Sequence, residues 1–303
     1  MVFSDEVRRA LAEGRPVVAL ESTLITHGFA WPRNLQVATE IEQAVRAGGA
    51  TPATIAVLAG QITIGLSREQ LEYLATAREA RKCSVRDLGV AVGLGLDGST
   101  TVAATMFIAA KAGIAVFATG GIGGVHRGHP FDVSADLTEL ARAPVTVVCA
   151  GAKALLDLPL TFEHLETLGV PVIGYQTDEI PAFYSRSSGL RADARADSPA
   201  DVARMVRARR ELGLPGGELV CAPVPEADEL PRDVAEAAIA EAQRLADAQG
   251  VHGAASTPFL LDQIAKLTRG ASVRANVALL LNNARLAAGI AGALVEGELS
   301  APA

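Results

Sequence analysis

An α/β fold with a mostly parallel or mixed sheet is what the 303-residue sequence predicts, on three observations. Short β-branched runs alternate with helical patterns along most of the chain. Each candidate strand is nearly all apolar, as strands covered by helices on both faces are. Apolar residues make up 50% of the chain and charged ones 20%, which supplies a large core and excludes wholesale disorder.

The elements follow in chain order. Ser4 caps a helix that stops at Gly14, and a strand over 16–20 comes next. Asn34 is expected to cap a helix ending at Gly48-Gly49, before a strand over 54–58. Ser67-Arg68-Glu69-Gln70 reads as a capping box. Gly93-Leu94-Gly95-Leu96-Asp97-Gly98 fits the string GxGxxG, and a helix is expected to begin at Gly98 or Ser99. Further strands are expected over 114–118, 145–150, 170–174 and 218–221. Ser198-Pro199 and Thr257-Pro258 each place a cap residue before a proline at the first helical position. Helices are expected over 231–249, 258–267 and 273–295. Residues 185–198 are polar and read as a surface loop or lid. With no internal repeat and no low-complexity linker, one domain over 1–303 is expected.

Lys plus Arg is 27 against 34 Asp plus Glu, a net charge of −7, and the pI is near 5.3. With no Lys/Arg run, the chain lacks the basic face that a nucleic-acid polymer would require. Mean hydropathy is +0.28, but the apolar runs are short and broken by charge, so no membrane span is expected. Asp5, Glu6, Arg8 and Arg9 lead into no apolar signal segment. The cysteines Cys83, Cys149 and Cys221 form no CxxC pair, and Cys149 reads as a buried inert thiol. Together these features point to the cytoplasm.

Five constellations carry chemistry. Glu21 follows an apolar strand directly, at the edge of the sheet where ligands of open α/β folds bind, with Thr26-His27-Gly28 close behind. Partial desolvation there raises a carboxyl toward general-acid range; a plain surface glutamate is the competing reading. The GxGxxG string lacks the acidic residue that a dinucleotide site needs, because the next strand ends Phe117-Ala118-Thr119-Gly120. A Gly/Ser/Thr turn opening a helix still presents N–H groups to a phosphate. Gly120-Gly121-Ile122-Gly123-Gly124 suggests backbone in close approach to a ligand, with His126 and Arg127 beside it for phosphate or base.

Asp132, Ser134 and Asp136 lie together just beyond, enough for a divalent cation that keeps most of its waters. Ser134 also reads as the cap of a helix starting near Asp136. The sharpest feature is Lys153, closing the buried run that starts at Val145. Burial leaves a lysine as the free amine that attacks carbonyls, whereas snorkelling to solvent is the plainer reading. Lys82, before Ser84-Val85-Arg86-Asp87, and Asn276, Asn282 and Asn283 in the last helix complete the polar set. An asparagine on an apolar helical stripe often satisfies a neighbouring backbone group.

Taken together, Ala19-Leu20-Glu21-Ser22-Thr23, Ser84-Val85-Arg86-Asp87-Leu88, the loop from Ala118 to Gly128, Ser134-Ala135-Asp136-Leu137 and Cys149-Ala150-Gly151-Ala152-Lys153 carry a resemblance. So do Gly174-Tyr175-Gln176-Thr177, Ser256-Thr257-Pro258-Phe259 and Asn282-Asn283, so the likeness runs nearly the whole chain. The sequence resembles the pseudouridine-5′-phosphate glycosidase family, also called indigoidine synthase A-like.

That resemblance implies a three-layer α/β/α sandwich assembled as a homotrimer. It implies reversible cleavage of the C–C bond between uracil and C1′ of ribose 5-phosphate, assisted by Mn²⁺. The family's lysine nucleophile falls on Lys153, its proton donor on Glu21 and its metal-binding aspartate on Asp132. Substrate contacts fall on Lys82, Val102 and Ser134-Ala135-Asp136, with His126 and Asn276 near the base or sugar. A C-glycoside has no leaving heteroatom to protonate, unlike an ordinary glycoside. The expectation is therefore that Glu21 helps open the ribose, Lys153 captures C1′ as an imine, and uracil leaves after protonation at C5. A cation at Asp132 would stabilise developing negative charge. Two other readings stand beside this one: a different Schiff-base lyase acting on a phosphorylated sugar, and a non-catalytic sugar-phosphate-binding module.

Overall fold

The computed structural model describes residues 1–251 and 256–299, and the side chains of all of these except 256–258 and 298–299, so the Thr257 cap lies outside the described residues. The chain runs β1 (Val2–Phe3), α1 (Asp5–Ala12), β2 (Val17–Leu20), α2 (Arg33–Ala47), β3 (Thr51–Leu58), β4 (Gln61–Ile64) and α3 (Arg68–Thr76). Next come β5 (Arg81–Cys83), α4 (Val85–Gly93), β6 (Gly98–Thr100), α5 (Val102–Ala112), β7 (Val116–Ala118), β8 (Val125–His126), β9 (His129–Val133) and α6 (Ala135–Leu140). They are followed by β10 (Thr146–Cys149), β11 (Leu156–Asp157), α7 (Leu158–Thr167), β12 (Val172–Tyr175), β13 (Ala194–Ala196) and α8 (Pro199–Glu211). The chain continues through β14 (Leu219–Cys221), α9 (Arg232–Ala248), α10 (Ser256–Leu267) and α11 (Ala271–Leu299).

The main sheet has the order β1-β4-β3-β2-β7-β10-β14-β12-β13, with β6 and β5 attached to β3. Pairings are parallel except β3 with β4 and β3 with β6. All six expected strands are present, one to three residues longer or shorter than anticipated, and they form the adjacent centre of the sheet, β3-β2-β7-β10-β14-β12. Helices α2, α8 and α11 pack together over one face, and α5 with α6 over the other. The architecture is therefore an α/β sandwich with a mostly parallel sheet.

The strands that the hydrophobic pattern did not reveal are short or exposed. β5 is Arg-Lys-Cys and β6 is Gly-Ser-Thr, so neither presents an apolar run. β8 and β9 form a hairpin that joins β11 in a separate sheet, and His129 to Asp132 are exposed along it.

Several caps are as the sequence indicates. Ser4 accepts from the Val7 N–H, Ser67 and Gln70 form a reciprocal capping box, and Ser198 and Asp201 form another around Pro199. Asn34 is a correction: it lies inside α2, after Pro32 and Arg33, and donates from Nδ2 to the carbonyls of Ile25 and Ala75. Its amide joins three segments, so tertiary bonding displaces the capping role. Gly98 and Ser99 do not open a helix either. They form β6, and α5 starts at Val102 behind a Thr101 cap that accepts from the Ala104 N–H.

Residues 185–198 run along the surface as expected, but they are anchored to the body of the fold. Ser185 and Ser188 are buried, donating to the carbonyls of Leu230 and Ile180, and Ala194–Ala196 is the edge strand β13, parallel to β12. Helix α11 also revises an expectation. Over Ala271–Gly297 it is long and apolar enough to cross a membrane by length and composition. Here it packs against α2, α8 and strands β2, β7 and β10, which accounts for its apolar stripe.

Candidate active site

Glu21, Thr119 and Lys153 emerge from the carboxyl ends of three adjacent parallel strands, β2, β7 and β10. This is the edge of an open α/β sheet at which ligands bind. Glu21 is held at its backbone by the hydroxyls that follow it. Ser22 donates to the Ile55 carbonyl (2.6 Å) and accepts from the Thr100 N–H (2.9 Å), and Thr23 donates to the Thr100 carbonyl (2.8 Å). The chain then turns through a short π-helical segment, Leu24–Gly28, a conformation frequent at functional sites. Thr26 donates to Ser99 Oγ (2.7 Å), and its oxygen lies 2.5 Å from His27 Nδ1.

The Glu21 carboxylate is buried, and Thr119 Oγ1 donates to its Oε1 at 2.5 Å. Burial raises its pKa above the ordinary carboxylate value; the Lys153 ammonium, the Thr119 hydroxyl and Lys82 oppose that shift, while Asp136 adds to it. Lys82 lies in the same electrostatic cluster. Burial and then repulsion by Lys153 lower its pKa, and Glu21 and Asp136 partly offset them. His27 is lowered as well, by burial and by Lys82. Two lysines and two carboxylates thus lie within electrostatic reach of one another in a partly desolvated region.

Lys153 differs from expectation in its placement. β10 ends at Cys149, and the chain turns through Gly151 (φ +86°) before Lys153, whose N–H donates to the Ile122 carbonyl at 3.0 Å. The lysine is half-buried at the rim, not enclosed in the strand. All three cysteines are buried free thiols.

The glycine loop is also explained differently. A Cβ on Gly121 would meet the Phe183 ring at 2.7 Å, one on Gly123 would meet Ser134 and Asp136, and one on Gly124 would meet Thr161. The protein's own packing is sufficient to require these glycines. Asp136 ties this loop to α5: its Oδ1 accepts from the Ala103 N–H (2.8 Å) and its Oδ2 from the Gly123 N–H (2.7 Å). Ser134 caps α6 by accepting from the Asp136 N–H, and Ala135 is exposed. The Val102 side chain is buried in the core, which leaves for a ligand only the N–H at the first position of α5, where a helix supplies no internal acceptor.

Arg127 is not free for phosphate or base. Its guanidinium donates to the carbonyls of Ala154 and Leu156 and forms a fork with Glu236. Asp132 stands apart, exposed on β9, and its one ion-pair partner among the described residues is His126, whose Nδ1 lies 3.9 Å from Oδ2. No group of three or more His, Cys, Asp or Glu side chains converges as a metal site among the described residues. Asp132 therefore fits only a hard cation that keeps most of its waters.

From α11, the Asn276 Oδ1 comes against Gly120, 3.4 Å from where a Cβ would stand, and Asn282 donates to the Pro223 carbonyl at 3.4 Å. Asn283 Nδ2 donates to the Thr119 carbonyl at 2.8 Å. Thr119, bonded to Glu21, is the member of this cluster that the sequence did not single out. The available signal was a hydroxyl at the end of the strand beside Glu21, but strand order is not written in local pattern.

Residues 6–293 match the family of indigoidine synthase A-like proteins. A pseudouridine-5′-phosphate glycosidase from Methylobacterium nodulans is 57% identical over 302 residues, 99% of this chain and 90% of that protein. The one from Caldanaerobacter subterraneus is 54% identical over 95% of both. Among solved structures, the prealnumycin C-glycosynthase AlnA in complex with ribulose 5-phosphate superposes with a TM-score of 0.91 and 42% identity, covering 99% of this chain and 98% of that one. An indigoidine synthase A-like protein from Thermotoga maritima gives a TM-score of 0.88 and 37% identity, over 93% and 94% of the two chains.

Proposed function

The chain belongs to the family of indigoidine synthase A-like proteins, and from that membership we propose that it is a pseudouridine-5′-phosphate glycosidase. It reversibly cleaves the C–C bond of pseudouridine 5′-phosphate to give uracil and ribose 5-phosphate. The observation that carries this reading is the pairing of a buried carboxyl with a lysine at the carboxyl ends of β2 and β10: Glu21 feels Lys153 as its largest electrostatic neighbour.

The residues divide the work as follows. Lys82 and the Val102 N–H hold the phosphate, a lysine and a helix start both suiting a dianion. Glu21, whose proton burial holds more tightly than in an ordinary carboxyl, donates to the ribose ring oxygen as the C1′–O4′ bond opens. The Glu21 carboxylate so formed takes a proton from the Lys153 ammonium, and the freed amine adds to C1′. Protonation of the base at C5 then lets the C1′–C5 bond break, and the Lys153 nitrogen lone pair forms the C1′ imine. Water hydrolyses that imine and frees ribose 5-phosphate and the lysine. Asn276, against Gly120, lies on the side from which the base or sugar would be held. Asp132, with His126 beside it, would hold a divalent cation such as Mn²⁺, which supplies charge stabilisation and ordered water.

Incubation of the purified protein with pseudouridine 5′-phosphate and Mn²⁺ should release uracil. Pyruvate or a triose phosphate from phosphorylated sugars would instead favour another Schiff-base lyase, and tight binding without turnover a binding module. The likeness to AlnA favours a second reading, in which the same site joins a sugar phosphate to an aromatic carbon other than uracil C5. Competition among aromatic acceptors in the synthetic direction separates the two.

Lys82→Met is expected to raise KM by about 10–100-fold, because a charge-assisted hydrogen bond contributes ~1.5–3 kcal/mol. An unchanged KM would place the phosphate elsewhere. Asp132→Ala should abolish the response of turnover to added Mn²⁺, and a titration with the same activation curve as wild type moves the cation off this hairpin. Phe131, 99% exposed beside Asp132, is an apolar side chain that a neighbouring subunit would cover, in keeping with a homotrimer. A solution mass of three chains tests this. The three free buried thiols suit a reducing compartment such as the cytoplasm.

A further inference from the structure

Asn283 is fully buried on α11, in a stripe with Leu279, Leu280, Ala284 and Ala287. Its Nδ2 donates to the Thr119 carbonyl at 2.8 Å, while its Oδ1 is buried with no hydrogen-bond partner among the described residues. Turning the amide over would set two oxygens against each other, so the orientation is determined by Thr119. A buried carbonyl oxygen without a donor destabilises the folded protein, and an aliphatic residue in this stripe would only shift that cost to the Thr119 carbonyl, so Asn283 is tied to this one peptide.

What it touches is the one peptide that matters for the acid. Thr119 is the first residue past β7, its N–H donates to the Val148 carbonyl (3.0 Å), and its hydroxyl donates to Glu21 Oε1. The neighbouring carbonyl of Gly120 accepts from the Ala150 N–H (2.9 Å) at the start of the loop to Lys153. Beyond the end of β7 no strand partner satisfies the Thr119 carbonyl, and Asn283 supplies the donor that holds the peptide plane.

We propose that Asn283 is a positioning residue: by fixing the Thr119 peptide from α11, it keeps the Thr119 hydroxyl on Glu21 and so aims the carboxyl that handles the proton. The inference rests on the reading of Glu21 as the proton donor in C-glycoside cleavage. The charged groups facing Glu21 are Lys153, Lys82 and Asp136. None of them is on α11 or β7, so a substitution at 283 leaves them in place.

The test compares pH profiles of kcat and kcat/KM for wild type, Glu21→Gln, Thr119→Val, Asn283→Leu and Asn283→Ala. Melting curves accompany the kinetics, and the alanine variant covers the case in which leucine overfills the stripe. At least one Asn283 variant should lower kcat about tenfold, as expected for one hydrogen bond expressed in the transition state, with KM changed less than about twofold. The limb reporting Glu21 should move to higher pH in the same direction as in Thr119→Val, because the hydroxyl bond that lowers the carboxyl is lost. Adding Asn283→Ala to Thr119→Val should then cost little more. Loss of kcat with an unmoved limb, or losses that multiply independently with Thr119→Val, would overturn the inference and leave Asn283 as structural support. Full activity in Glu21→Gln would instead strike the functional reading itself.

Discussion

Lys153→Ala is expected to lower turnover of pseudouridine 5′-phosphate by on the order of 10⁴-fold or more, the scale on which removal of a covalent nucleophile acts. In the wild type, borohydride added with ribose 5-phosphate should leave a reduced sugar adduct on the peptide carrying Lys153, and the variant should leave none. The mapping matters because the cluster holds a second amine. Lys82 has its pKa lowered by burial and by Lys153, which favours its neutral form. An adduct mapped to Lys82 would exchange the roles of the two lysines, and no adduct on either would remove the imine from the mechanism.

Glu21→Gln should reduce kcat by about 10²–10⁴-fold, the usual contribution of general acid catalysis, while leaving the binding of ribose 5-phosphate intact. The same substitution has an opposite effect on stability. In the folded protein the Glu21 pKa lies above its ordinary value of 4.5, so the folded state holds this proton more tightly than the unfolded chain. The stability contributed by that proton is fully present below the ordinary value and is lost as pH rises through the folded one. Glutamine keeps the shape without the charge. Its melting temperature should therefore match wild type in acid and exceed it increasingly as pH rises past that window. In the wild type, kcat/KM should fall over the same range as the acid is consumed. A variant whose advantage over wild type is no larger at neutral pH than at pH 4 would contradict the buried-carboxyl account.

The local patterns reached most of the fold, and the reason is visible in where they failed. The six apolar runs became the centre of the sheet because burial on both faces imposes one composition on a strand. Edge strands such as β5 and β13, and the exposed hairpin of β8 and β9, escape that constraint and so carry no such signature. Asn34 has the chemistry of a cap and a different job, because a backbone carbonyl from Ile25 and another from Ala75 arrive beside it only after folding. Arg127 looked like a ligand for anions, yet two carbonyls and Glu236 already occupy its guanidinium. The glycines between 120 and 124 looked like room for a substrate, and three of them are room for Phe183, Ser134, Asp136 and Thr161.

Which residues stand where the proposed chemistry would need them was therefore legible in the chain, since Glu21 and Lys153 each follow a strand, and strand ends in this fold class form the ligand edge. Their partnership was not. Glu21 and Thr119 are separated by 98 positions and meet because β2 and β7 are neighbours in the sheet, a crossover that no local window encodes. The electrostatics follow the same division: a side chain brings its ordinary pKa with it, but desolvation and neighbouring charge are properties of the packed cluster. Residue identity sets what a group can do, and only the assembled sheet sets what it is next to.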